Sequence, residues 1–162
     1  MTAPSPTFPA PGSTVRDVLE LAAGRPAGPE RVALTRRAVE TAVVQGDEAG
    51  EVAARLALVD TSWEGSPWGA VEPFMWCIAR RRQRPELFTA EQSHALGQDY
   101  LWVGIAAASN PTVPVARVRV LEQGVDALAA ELDLSEHVLE DQRRVIALYL
   151  GRPDEARAAY QR

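Results

Sequence analysis

Along most of the chain apolar side chains return every three or four positions, the period of a helix with one face turned inward. Ser13 to Ala23 carries Val15, Val18, Leu19 and Ala22 at that spacing. The Pro/Gly stretch Gly24-Arg25-Pro26-Ala27-Gly28-Pro29 then breaks the pattern. Pro29 to Gln45 sets Val32, Ala33, Arg36, Val39, Ala42 and Val43 on adjoining faces, and Gly46-Asp47 stops one helix and starts another. The next helix runs to about Asp60 with Val52, Leu56 and Val59 in register. A two-residue boundary makes the two fold back as an antiparallel hairpin.

After Thr61 to Ser66, Ser66 can cap and Pro67 can take the first position of a helix reaching Arg84. Pro73 lies inside that span and lacks an amide donor, which predicts a kink there in preference to a helix that begins at Pro73. Thr89 caps a long helix to about Ser109, and Asn110 to Pro114 makes a turn. Val115 to Leu132 follows, with Val118, Leu121, Val125, Leu128 and Leu132 as its seam. Asp133 or Ser135 caps a helix carrying Val138, Leu139, Val145, Ile146 and Tyr149, which Gly151 ends. Pro153 opens the last one, with Asp154 and Glu155 in its first turn.

No segment shows sustained strand alternation, so the predicted class is all-α, built of consecutive antiparallel helical hairpins. Hairpin helices start near Asp47, Thr89 and Asp133, 42 and then 44 residues apart. That period is the mark of a helical array whose units bury apolar faces only by stacking. Residues 1–12 hold four prolines and few large apolar groups, so they are expected to form a disordered tail ahead of a helical repeat domain over 13–162. Trp76, Leu101, Ile105, Leu121, Val125, Leu128 and Ile146 are the expected core.

Composition removes several function classes. All 17 basic residues are Arg, against 22 acidic ones, for a net charge of -5, the wrong balance for a nucleic-acid binder. The single cysteine, Cys77, cannot form an internal disulfide, and with two histidines it cannot complete a His/Cys zinc site. Neither a signal peptide nor a run of about 20 apolar residues is present, so a cytoplasmic protein without membrane partners is expected. No HExxH, CxxC, phosphate-binding loop or GxGxxG stands in the chain. No cofactor, metal or catalytic residue is expected.

The residues Leu150-Gly151-Arg152-Pro153-Asp154-Glu155-Ala156-Arg157-Ala158-Ala159-Tyr160 resemble the middle of a tetratricopeptide repeat. In that family one helix ends in Leu-Gly, and the next carries a small residue followed four positions later by an aromatic. Gly151, Ala156 and Tyr160 match those places, where Gly permits the tight turn and the aromatic fills the gap between units. Glu140 and Arg144 stand where the family prefers an aromatic and a small residue. Ser62 to Tyr160 as a whole is similar to the first part of longer tetratricopeptide-like bacterial proteins. The resemblance implies an α-solenoid and a scaffold, not a reaction.

Candidate contact residues concentrate in one quarter of the chain. Trp63, Trp68, Trp76 and Trp102, with seven of the ten aromatics, lie between residues 63 and 102. They form either a packed core or a recognition groove. Glu91, His94, Gln98 and Trp102 share one helix face, a solvated strip or a ligand-facing one. Arg80, Arg81, Arg82 and Arg84 close a helix, where they complement its dipole or meet an acidic partner. Cys77 reads as a small buried apolar residue and His137 as surface.

The leading expectation is a non-catalytic scaffold for a protein or peptide, contacting it through Trp63, Trp68, Arg80, Arg81, His94, Gln98 and Trp102. The alternative is a helical sensor that encloses a small apolar ligand near the tryptophans. An enzyme would have to draw its acid or base from Glu72, Glu91 and Asp99. Because Ala156, Ala159 and Tyr160 leave an apolar stripe on the last helix, self-association or a longer parent chain is expected through the C-terminal hairpin.

Overall fold

The computed structural model describes residues 12–63, 67–132 and 135–160, with the side chains of residues 63, 67, 68, 125–128, 132, 159 and 160 outside the described set. Eight α-helices and no strand occur among the described residues: α1 (Val15–Ala23), α2 (Pro29–Gln45), α3 (Glu48–Trp63), α4 (Val71–Gln83), α5 (Ala90–Ser109), α6 (Val115–Leu132), α7 (Glu136–Tyr149) and α8 (Pro153–Tyr160). Short 3-10 turns at Pro67–Ala70 and Pro85–Leu87 bracket α4. The contacts divide the chain into two compact units, Met1–Thr89 and Ala90–Arg162. The proline-rich segment expected to be a tail falls outside the described residues, except for Gly12.

In the first unit α1 packs on both α2 and α3, and α3 also carries α4. Val15 and Val18 meet Ala38, Ala42 and Ala54, with Leu19 and Val39 packed against them. Small side chains on α2 and α3 let the backbones approach closely. Between these helices Gly46 sits at φ 66, and in the second unit Gly151 ends α7 at φ 68. Both are left-handed conformations that glycine adopts without steric cost.

Thr14 begins α1 with a reciprocal cap. Its hydroxyl accepts from the Asp17 amide at 3.2 Å, and its own amide donates to Asp17 Oδ2 at 2.8 Å. The Thr14 backbone N–H, then its hydroxyl, hold the Asp17 carboxyl below its ordinary value. A depressed carboxyl contributes stability above its unfolded value, and that contribution is lost as pH falls through the lower folded value. Asp17→Asn should therefore lower the thermal midpoint at neutral pH. The gap to the unaltered protein should close below about pH 3.9, the ordinary Asp value. Melting curves across pH decide it, and a gap unchanged in acid would show that the cap has no ionic component.

Two expectations are corrected. Pro73 does not kink α4: the chain enters through the 3-10 turn, and Pro73 stands third in the α-helix beginning at Val71. A first-turn amide has no intrahelical acceptor, so proline removes nothing there. On α2 the buried positions are Leu34, Thr35, Ala38 and Ala42. Of the positions that the periodicity grouped there, only Ala42 is buried and Val32 and Val39 are partly so, while Ala33, Arg36 and Val43 are exposed. Thr35 enters the interior because its hydroxyl donates to the Arg31 carbonyl at 2.9 Å.

In the second unit α5 packs on α6 and α7, and α7 on α8. Ala107, Val113, Val118 and Ile146 form its buried cluster, with Ile105, Ala108, Leu121 and Leu150 against them. Two polar side chains tie the helices together. Tyr100 Oη donates to the Leu121 carbonyl at 2.6 Å, and buried Gln142 Nε2 donates to the Leu101 carbonyl at 3.0 Å. Glycines make room for both: a Cβ at Gly124 would lie 2.5 Å from Tyr100 Oη, and one at Gly104 would lie 2.6 Å from Gln142 Nε2. Arg152, in the α7–α8 turn, grips Glu122 of α6 through both carboxylate oxygens at 3.0 and 3.1 Å. Of the expected core, Leu101 and Ile146 are buried and Trp76, Ile105 and Leu121 half-buried, while the Val125 and Leu128 side chains lie outside the described set. On α7, Tyr149 is exposed and Gln142 takes an inward place.

Candidate functional site

The candidate residues divide between the two units. In the first unit, Trp76 is half-buried on α4 with two guanidinium groups over its ring, Arg55 at 4.3 Å and Arg80 at 5.2 Å from the ring centre. Arg55 also pairs with Glu51 at 2.9 Å and Glu72 at 3.3 Å. Arg80 reaches Glu48 at 3.6 Å, and Arg84 reaches the same carboxylate at 3.3 Å while also pairing with Glu86. The Glu86 hydrogen bond raises the Arg84 pKa and lowers that of Glu86.

So part of the basic run at the end of α4 is turned onto the acidic first turn of α3. Glu48 is an acidic group that Arg80 and Arg84 share within the chain. Arg81 is half-buried, and Arg82 is exposed. Arg55, which completes the stack on Trp76, was not among the residues singled out from the sequence. Its i,i+4 spacing from Glu51 was the available signal.

Trp63 ends α3 and Trp68 lies in the following 3-10 turn, and both side chains are outside the described set. Cys77 is buried.

In the second unit, Glu91, His94, Gln98 and Trp102 are all exposed on α5. Trp102 is 60% exposed, while its neighbours Tyr100 and Leu101 are 5% and 6%. One turn of helix thus sends an aromatic inward and another outward. The inward one is held by the Leu121 carbonyl. An exposed indole offers a large, rigid face with an N–H donor, flanked by the hydrogen-bonding groups of His94 and Gln98. Leu148 and Tyr149, at the end of α7, are exposed as well, and Ala156 of α8 is buried.

Of the carboxylates that an enzyme would use, Glu72 and Glu91 are exposed and Asp99 is half-buried, and His137 is exposed. Among the described residues no group of three or more His, Cys, Asp or Glu side chains is placed to hold a metal ion. Among them, too, no helix is long and apolar enough to cross a membrane. No protein-family model, no curated protein and no solved structure matches this chain.

Proposed function

We propose that this chain is a non-catalytic helical interaction module of the tetratricopeptide-like class, which acts in the cytoplasm and holds a protein or peptide on the outer face of α5. The observation that carries the reading is Trp102, 60% exposed on a helix whose neighbouring positions are buried. Leaving an indole in water forgoes the burial of some 150 Å² or more of side chain, and tryptophan is enriched at interface hot spots. Gln98 and His94 supply directional hydrogen bonds one and two turns earlier. The packing of α5 on both α6 and α7, and of α7 on α8, supports a hairpin array, as do the left-handed Gly151 and buried Ala156 at the positions of the repeat resemblance.

The test is a displayed peptide library selected against the full chain, followed by affinity measurements on Trp102→Ala. The expected result is at least tenfold weaker binding, the equivalent of about 1.4 kcal/mol, with a thermal midpoint shifted by less than about 2 °C. Peptides that bind the variant as well as the unaltered chain would remove α5 as the recognition face. A large loss of stability would assign Trp102 to the fold instead.

A further inference from the structure

The buried residues of α2 occupy one side, and a second stripe runs along the opposite side. At 3.6 residues per turn, Pro29, Val32, Ala33, Arg36, Glu40, Val43 and Val44 share that outer face. Pro29, Val32, Ala33, Arg36 and Glu40 line an open groove of about 480 Å³ together with Ser62 and Gly69. Farther along the stripe, Val43 and Val44 are 56% and 86% exposed. Among the described residues Arg36 has no ion-pair partner and Glu40 pairs only with Arg37 on the same helix, at 2.9 Å.

The order of these residues is symmetric. Position 38 is the midpoint of Val32 and Val44, of Ala33 and Val43, and of Arg36 and Glu40. Apolar, basic, acidic and apolar groups therefore read the same from either end once the two charges are exchanged. A two-fold interface demands this of a helix, because each residue must suit the one related to it by the axis.

The geometry points to a second copy of this chain as the occupant of the face, with the two α2 helices antiparallel about an axis opposite position 38. Arg36 then meets Glu40 of the second copy, and the same pair forms again on the other side of the axis. Val44, the most exposed apolar residue on the helix, falls opposite Val32 at the groove of the second copy, and Val43 falls opposite Ala33. A parallel pairing would set Arg36 against Arg36 and Glu40 against Glu40, so the charges select the antiparallel direction and its register. The stripe spans about 22 Å at 1.5 Å per residue. One helix pair of that length is a small contact beside the roughly 1,200 Å² of stable interfaces, so the proposed dimer is a transient one.

The charge pattern supplies its own test by sedimentation equilibrium of the full chain from low micromolar to submillimolar concentration. The unaltered chain is expected to move from the mass of one chain toward that of two. Arg36→Glu gives an all-acidic face and Glu40→Arg an all-basic one, so each alone should self-associate at least tenfold more weakly. Mixed in equal amounts, the two variants should pair with each other about as well as the unaltered chain pairs with itself, which misfolded variants could not do. Val44→Asp should weaken association without a compensating partner. A mass that never leaves that of one chain would overturn the proposal. So would a dimer indifferent to both charge changes, or one abolished only by replacing Leu148 and Tyr149.

Discussion

Replacing Gly124 with alanine should cost the second unit about 1–3 kcal/mol, the range of an overpacked helix contact, although alanine is the better helix former by about 1 kcal/mol. The added methyl would stand 2.5 Å from Tyr100 Oη, where no carbon can remain. Either α5 and α6 separate or the ring withdraws and gives up its 2.6 Å hydrogen bond to the Leu121 carbonyl. Tyr100→Phe alone forfeits that bond, about 1 kcal/mol. In the Phe background the methyl meets only ring carbon, 3.7 Å away at the ring Cζ, an ordinary contact. Gly124→Ala should there be neutral or stabilising. A double-mutant cycle in urea should return a coupling of at least about 1 kcal/mol. Additive costs would mean that the two helices yield elsewhere.

Arg55→Ala should cost the first unit about 2–3 kcal/mol, more than an exposed ion pair of about 0–1 kcal/mol is worth. The side chains of Arg55 and Glu51 are only 15% and 12% exposed. Removing the cation strands a mostly buried carboxylate and takes away the nearer guanidinium stacked on Trp76. Charge alone does not define the requirement. Arg55→Lys keeps the charge but loses the planar group that stacks and donates in a fork, so it should fall between the two. Glu51→Gln combined with Arg55→Met should recover much of the loss, since it removes both buried charges. Equilibrium unfolding of the four proteins decides it, and a loss under about 0.5 kcal/mol for Arg55→Ala would place the network among surface pairs.

Most helix positions were legible because their boundaries carried their own chemistry, the entry into α4 at Val71 being the exception. Pro29 and Gly46 bound α2 where expected, and Val115 to Leu132 forms α6 as read. The faces of α2 were not legible. Both sides of that helix carry small or β-branched apolar residues, so periodicity alone could not say whether Val32 and Val43 or Leu34 and Ala38 turn inward. Gln142 escaped for a related reason. A buried amide looks like a surface residue until Gly104 and the Leu101 carbonyl are brought beside it by α5. The α5 strip was legible as a strip, because helical spacing fixes which residues share a face. Which way it looked depended on tertiary packing, and Trp102 proved exposed. The Trp76 stack was hidden because Arg55 comes from a different helix, twenty-one positions earlier.

Cys77 gives the first unit a clock. It is the chain's one thiol, fully buried on α4, so an alkylating reagent can reach it only when that helix lifts. Under fast reclosing, the labelling rate of the native protein is the opening equilibrium multiplied by the reactivity of a free thiol. Each modified molecule thus records one opening of the first unit, read by intact mass with no engineered probe. Pairing through α2 would slow that clock as protein concentration rises, provided that α2 and α4 open as one cooperative body. A rate independent of concentration in a chain that does dimerise would show that α4 opens by itself, and the smallest cooperative piece of this fold would then be a single helix.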